Sequence, residues 1–402
     1  MRRQRLRPIR AFLGAAVLAV AATVAAPAAA KEKKPDGPVG AVYTETNDQV
    51  ANKVIVFDRY ADGRLKRRQV VRTGGRGARQ PQPGCDPPGG CPILDTAGEV
   101  LVTPNGRLVF AVNAGSNTIS AFRETPRGMK RVDRQDSNGV FPESLTVHGN
   151  KLYVLNANSA SIAGFRFSSA GKMKPINGSI QSLSTGPEGV PRQIGFDRTG
   201  KMLAVTLLVA NTIDTFVLKA NGKPNRSVSR MSHPSSSPLP FGFAFDPRNR
   251  LVVSEVVSLT EFGNTSTYGV NPRSGDLTPI DTKSSQGAAP CWVEITKDGR
   301  YVFVVNAAAT DAPGGPTITR FGLRRGGRLD FLGLKPPDQG EFARTDEALS
   351  GDSRYLYVLA PSIFDAGTSH IDQYRVKKNG GLKFIGATPS ALPPGVSGLD
   401  AF

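Results

Sequence analysis

VFAVNAGSNTISAF, Val109 to Phe122, is written again as LYVLNANSASIAGF at Leu152 to Phe165 and as LAVTLLVANTIDTF at Leu203 to Phe216. The three lines align without a gap. Each has four mostly apolar residues, a distinctive fifth position, a turn, a short β-rich run and an aromatic. The line returns as LVVSEVVSLTEFGNTSTY from Leu251, VFVVNAAATDAPGGPTITRF from Val302 and LYVLAPSIFDAGTSHIDQY from Leu356. A degenerate first copy is VGAVYTETNDQVANKVIVF from Val39 to Phe57. That makes seven copies, and from Val109 onward they start 43 to 54 residues apart, the spacing of propeller blades. The longer first gap contains an insertion at 74–92.

Turn signals bracket every line. PNGR, HGNK, RTGK, PRNR, KDGR and GDSR precede six of them, and ADGRL, TPRGM, SAGKM, KANGK, RSGDL, RRGGRL and KKNGGL follow. Glycine there supplies the positive φ of tight hairpins. The runs between are short and rich in Val, Ile, Phe, Tyr and Thr, with no sustained helical period. The expected fold is all-β: a seven-bladed β-propeller of four-stranded antiparallel blades, strands a to d from the axis outward, over residues 39–402. The first copy begins at its second strand. PPGVSGLDAF, Pro393 to Phe402, reads like the strand-a openings FPESLTV, VPRQIGF and LPFGFAF, so a C-terminal strand is expected to close blade 1.

The first thirty residues stand apart. Five arginines between Arg2 and Arg10, an apolar Ala11–Ala26 run and the Ala28-Ala29-Ala30 cleavage signal make a secretory signal peptide. Residues 31–38 read as a short linker. The mature chain is expected outside the cytoplasm after cleavage near Ala30, as a monomer with no membrane span. In an oxidising compartment Cys85 and Cys91, in PQPGCDPPGGCP, are expected to form a disulfide, with Cys291 a buried thiol.

Net charge is +18, or +13 without the five signal arginines. The basic residues are spread over turns and are not interleaved with aromatics. That favours anionic partners in general and argues against nucleic acid. His148, His233 and His370 are too scattered for a metal triad or a Ser-His-Asp set, with His148 in an a–b hairpin, His233 in a loop and His370 in strand c of the last blade. No cofactor is expected, though the central channel has room for a structural metal ion.

Strand a starts and strand b ends on one face of a propeller disc. The fifth positions therefore ring the channel mouth: Tyr43, Asn113, Asn156, Leu207, Glu255, Asn306 and Ala360. The strand-a starts beside them are Ser397, Thr96, Glu143, Arg192, Phe241, Trp292 and Asp346. Candidate catalytic residues are Glu255, a carboxylate at a partly buried mouth, and Arg192, a fork for an anionic group. Candidate substrate contacts are Glu143, Trp292, Asp346, Arg344, Asn113, Asn156 and Asn306. Each has an ordinary structural reading: turn satisfaction for the asparagines, blade packing for Trp292, and ion pairs among Arg192, Arg344 and the carboxylates.

LVFAVNAGSNTISAF, SLTVHGNKLYVLNA, NTIDTF, PFGFAFDPRNRLVVSE and CWVEITKDGRYVFVVN resemble the seven-bladed β-propeller lactonases, which include bacterial 6-phosphogluconolactonase-like proteins and fungal carboxymuconate-lactonizing enzymes. GRYVFVVN is also similar to the YVTN repeats of surface-layer propellers. The lactonase resemblance implies an active site of Arg, His and Glu on this face. Arg192 matches the family's arginine, whereas Gln193 stands where members carry histidine and Leu207 where they carry glutamate. Glu255 matches a fifth-blade glutamate of secreted members. Two functions follow as expectations: an exported lactonase acting on a small anionic lactone of a sugar acid or organic acid, or a non-catalytic scaffold binding anionic envelope components.

Overall fold

A computed structural model describes residues 37–78, 94, 96–225, 227–228, 230–307, 312, 314–338, 344–360, 369–388, 392–393 and 395–402. The signal segment and the Cys85–Cys91 pair lie outside the described residues. Among the described residues no helix is long and apolar enough to cross a membrane.

Seven antiparallel sheets follow one another along the chain. Blade 1 holds β1 (Gly40–Glu45), β2 (Lys53–Arg59) and β3 (Leu65–Arg72). Blade 2 holds β4 (Val100–Val102), β5 (Leu108–Asn113), β6 (Thr118–Thr125) and β7 (Gly128–Asp136). Blade 3 holds β8 (Pro142–His148), β9 (Lys151–Asn156), β10 (Ser161–Phe167) and an outer strand in two pieces, β11 (Met173–Pro175) and β12 (Gln181–Ser182). Blade 4 holds β13 (Pro191–Phe196), β14 (Met202–Leu207), β15 (Thr212–Val217) and β16 (Met231–Pro234). Blade 5 holds β17 (Pro240–Phe245), β18 (Leu251–Glu255), β19 (Asn264–Val270) and β20 (Leu277–Ser284). Blade 6 holds β21 (Pro290–Ile295), β22 (Tyr301–Asn306), β23 (Ile318–Leu323) and β24 (Leu329–Lys335). Blade 7 holds β25 (Thr345–Leu349), β26 (Tyr355–Ala360), β27 (His370–Val376) and β28 (Leu382–Ala387). The C-terminal β29 (Ser397–Ala401) pairs antiparallel with β1, so the last strand of the chain is strand a of blade 1 and the ring closes as expected.

The repeated apolar line is strand b. All six residues of β5, β14 and β26 are buried, because each face of a blade packs on a different neighbour. Leu152 and Val154 join the apolar cluster shared with blade 2, while Tyr153 and Leu155, pointing the other way, join the one shared with blade 4. Every inter-blade gap is filled by such a cluster. The core is thus a set of radial seams, and a period-2 strand with both faces covered reads as a continuous apolar run. Outer strands behave differently. In β3, Lys66, Arg67 and Arg68 are exposed, and charge on an outermost strand discourages edge pairing.

Two expectations are corrected. The strand-b end of blade 1 is Glu45 instead of Tyr43: Glu45 pairs with Ser397 as Asn156 pairs with Pro142. The degenerate first copy is displaced by two residues, which preserves the side-chain face and so hides the slip. Tyr43 lies inside the seam with blade 2, its hydroxyl donating to Glu124 at 3.0 Å. His233 belongs to the outer strand β16, opposite Ile213, where a loop was expected.

Candidate functional site

The mouth is built from two layers of side chains. The first lies at the strand-b ends. In blade 2 the Asn113 amide donates to Thr118 and Ser120 of strand c at 3.1 and 2.9 Å, and Ser120 donates to the Thr73 carbonyl at 2.9 Å. Thr73 is the first residue after the outer strand of blade 1. In blade 6 Asn306 donates to Thr317 and Thr319, both at 2.9 Å, and Thr319 donates to the Ser285 carbonyl at 2.5 Å. Ser285 is the residue that leaves blade 5. In blade 3 Asn156 reaches the Ser137 carbonyl directly at 3.2 Å. Each asparagine therefore clasps the exit of the preceding blade. A Cβ on Gly75, Gly139 or Gly287 would overlap the amide of Asn113, Asn156 or Asn306. The sequence signal is a hydroxyl residue followed two positions later by glycine, as in Thr73-Gly74-Gly75, Ser137-Asn138-Gly139 and Ser285-Gln286-Gly287, paired with asparagine in the next blade.

Blade 5 makes the same clasp with a carboxylate. Glu255 Oε1 accepts from Ser235 Oγ at 2.9 Å, the Ser237 amide at 3.2 Å and the Tyr268 hydroxyl at 3.2 Å, while Oε2 accepts from Ser266 Oγ at 2.5 Å. Ser237 takes the place of the glycine. Burial pushes the Glu255 carboxyl up to about 7, partly opposed by these hydrogen bonds. Its acceptor positions are filled by uncharged donors. Blade 4 does without a polar strand-b end. Leu207 is fully buried among Leu155, Ile194, Val205 and Phe216, and Asp214 of strand c accepts the Ser184 amide at 2.7 Å instead.

The second layer lies at the strand-a starts. A β-bulge there leaves Glu143, Arg192 and Asp346 out of the paired register, which re-aims their side chains. Arg192 is 2% exposed, and its guanidinium stands 5.3 Å from the centre of the Phe241 ring. Phe241 packs edge-on against Trp292 at 5.3 Å. Trp292 Nε1 donates across the ring to the Thr96 carbonyl at 2.6 Å, and Thr96 Oγ1 donates to the Glu143 carbonyl at 2.9 Å. The structure thus links Arg192, Trp292 and the Glu143 main chain in one connected layer running through blades 2 to 6. A guanidinium held on an aromatic face and backed by an indole presents a fork that matches a planar anionic group.

Arg344 belongs to a separate cluster in blade 7. Its Nη2 donates to Asp372 at 3.0 Å and to the Tyr374 hydroxyl at 2.8 Å, and His370 Nε2 lies 3.3 Å from the other Asp372 oxygen. Asp372, absent from the candidate residues, is the partner of Arg344, where Glu143, Glu255 or Asp346 were expected.

Below the Trp292 layer the channel opens into a cavity of about 310 Å³. Glu294, Asp346, Glu347 and Asp400 line it. Burial raises all four carboxyls, and mutual repulsion adds to the shift for Glu294, Asp346 and Glu347. Only Asp346 was singled out from the sequence. The signal was present, since CWVEIT, RTDEAL, SGLDAF and TAGEVL each set an acid inside an apolar strand-a run. Glu45 is a further buried carboxylate with a raised pKa, accepting from Asn52 at 3.1 Å.

The family described as Lactonase, 7-bladed beta-propeller matches residues 42–187, which are the first three blades. No curated protein matches the sequence. Among solved structures, a candidate 6-phosphogluconolactonase of Bacteroides fragilis superimposes with a TM-score of 0.65 at 14% identity, over 90% of this chain and 98% of that one. The periplasmic gluconolactonase of Pseudomonas aeruginosa gives 0.60 at 17% identity, over 89% and 98%. Hydrazine synthase of Kuenenia stuttgartiensis gives 0.57 at 18%, over 77% and 91%, so the fold alone does not select a chemistry. This chain is similar to the seven-bladed propeller lactonases in the sequence of its first three blades, and its whole ring has the fold of those neighbours.

Proposed function

We propose that this chain is an exported hydrolase of the lactonase type, acting on the lactone of a sugar acid or small organic acid. The observation that carries the reading is the Arg192 guanidinium, set face-on to Phe241 in the layer that also holds Trp292 and Glu143, in a chain whose first blades match lactonases. Arg192 holds the anionic group of the substrate. A carboxylate takes a proton from water as it attacks the ester carbonyl, the ring C–O bond breaks, and the leaving alkoxide takes up a proton to give the hydroxy acid. Glu143 occupies the bulge equivalent to that of Arg192 in the neighbouring blade and is the first choice of base. Glu255 titrates in a suitable range, and it reaches a water only when Ser235 or Ser266 releases it. The test is hydrolysis of a panel of sugar-acid and muconate-type lactones by wild type, Arg192→Lys, Glu143→Gln and Glu255→Gln. Activity lost with Arg192→Lys and Glu143→Gln supports the assignment. A wild-type rate equal to buffer across the panel sinks the enzyme reading.

A second reading is a non-catalytic propeller that binds anionic envelope polymers. Leu207, buried in an apolar seam where the resembling enzymes carry glutamate, favours it. Salt-sensitive retention of cell-envelope polymer by an inactive wild type is its expected result.

A further inference from the structure

The channel cavity gathers carboxyl groups in a strongly basic chain. Glu294 comes from blade 6, Asp346 and Glu347 from blade 7 and Asp400 from blade 1, with Glu99 of the blade 2 entry close enough to Asp346 to interact with it. Two of these carboxylates are held by backbone amides. Asp346 accepts from Glu347 N at 2.8 Å and Leu399 N at 2.6 Å, and Asp400 from Val102 N at 2.6 Å and Ala401 N at 2.8 Å. Glu347 is different. It is 4% exposed, lines the cavity, and among the described residues neither carboxylate oxygen has a hydrogen-bond partner of normal geometry. The nearby Glu294 amide and Arg344 offset its burial only in part. Arg344 is committed through Nη2 to Asp372 and Tyr374, and among the described residues Arg198 is the one basic side chain of the lining.

Several carboxyl groups buried together stay ionised only where a positive charge joins them, and otherwise hold protons. Among the described residues, no three such side chains stand close enough to chelate one ion directly. The ion that fits is therefore one that keeps its water. Mg²⁺ dehydrates reluctantly and is commonly held by one or two carboxylates with several waters retained. Six waters at about 30 Å³ each fit within the cavity. We propose that the central cavity binds one hydrated divalent cation of the Mg²⁺ class, with Glu347 as the carboxylate that touches it or its water and Glu294, Asp346 and Asp400 as the surrounding charge. This site is independent of the lactonase reading.

The test uses the full chain stripped by chelator, with Mn²⁺ as the spectroscopic probe at constant ionic strength. Saturable uptake of about one Mn²⁺ per chain, displaced by Mg²⁺, is expected. Glu347→Gln should weaken it about tenfold or more, while Asp276→Asn, an exposed surface change, should not. Mg²⁺ should also raise the melting temperature beyond the effect of NaCl at matched ionic strength. If Glu347→Gln fails to fold, Asp400→Asn supplies the comparison. Absent saturable uptake, equal affinity in wild type and the variant, or a melting shift no larger than that of NaCl each overturns the proposal.

Discussion

Trp292 Nε1 donates to the Thr96 carbonyl at 2.6 Å although the two residues enter blades 6 and 2, on opposite sides of the axis. The indole therefore braces the ring across its channel, where sequence-adjacent blades cannot.

Trp292→Phe keeps most of the apolar contact with Phe241 and deletes the brace. It leaves the buried Thr96 carbonyl without this donor, at a cost of about 1–3 kcal/mol. Urea denaturation should show the midpoint falling at constant slope. An unchanged midpoint would mean the bond contributes nothing to stability.

Gly287→Ala places a methyl group against the Asn306 amide and should destabilise by about 1–3 kcal/mol. Asn306→Ala in the same chain removes the overlap. The double variant should therefore be more stable than the sum of the single losses predicts. Simple additivity would show that the clasp between blades 5 and 6 is not what the glycine serves.

The Glu255 carboxyl is raised from 4.5 to about 7, chiefly by burial. The folded state then holds a proton that the unfolded chain has released. Its contribution is complete below about pH 4.5 and is lost as pH rises through about 7, a swing on the order of 3 kcal/mol. Stability measured between those limits should fall more steeply with pH in wild type than in Glu255→Gln. Parallel curves would remove Glu255 as the cause.

Deleting residues 395–402 removes β29, its pairing with β1, and Leu399 and Ala401 from the seam between blades 7 and 1. The buried leucine alone accounts for about 2 kcal/mol, and the open sheet edge adds a risk of aggregation. The melting temperature should drop and the truncated chain should self-associate on heating. A wild-type melting curve would show that closure lies elsewhere.

The proposed site is legible in the chain only in part. Arg192, Glu143 and Trp292 were reachable from the alignment of strand-a starts. Their union is not, because which strand-a starts touch one another across the axis is set by the closed ring. Arg344 stands beside the strand-a starts in sequence, yet its partner Asp372 lies on strand c of the same blade. No local pattern shows which strand-c side chain a strand-a start will meet.

What the chain determined by itself was the blade. A two-sided apolar strand b, hairpin glycines and a recurring period are local properties, and they define seven units and the strand that closes them. The ring decided the rest. Closing seven blades on one axis brings Ser285 against Thr319 and Thr73 against Ser120, turning asparagines that read as turn residues into clasps. It also draws Glu294, Glu347 and Asp400 into one cavity. These contacts join residues roughly one blade or more apart along the chain. Their geometry is set by the curvature of the ring, which no single strand encodes.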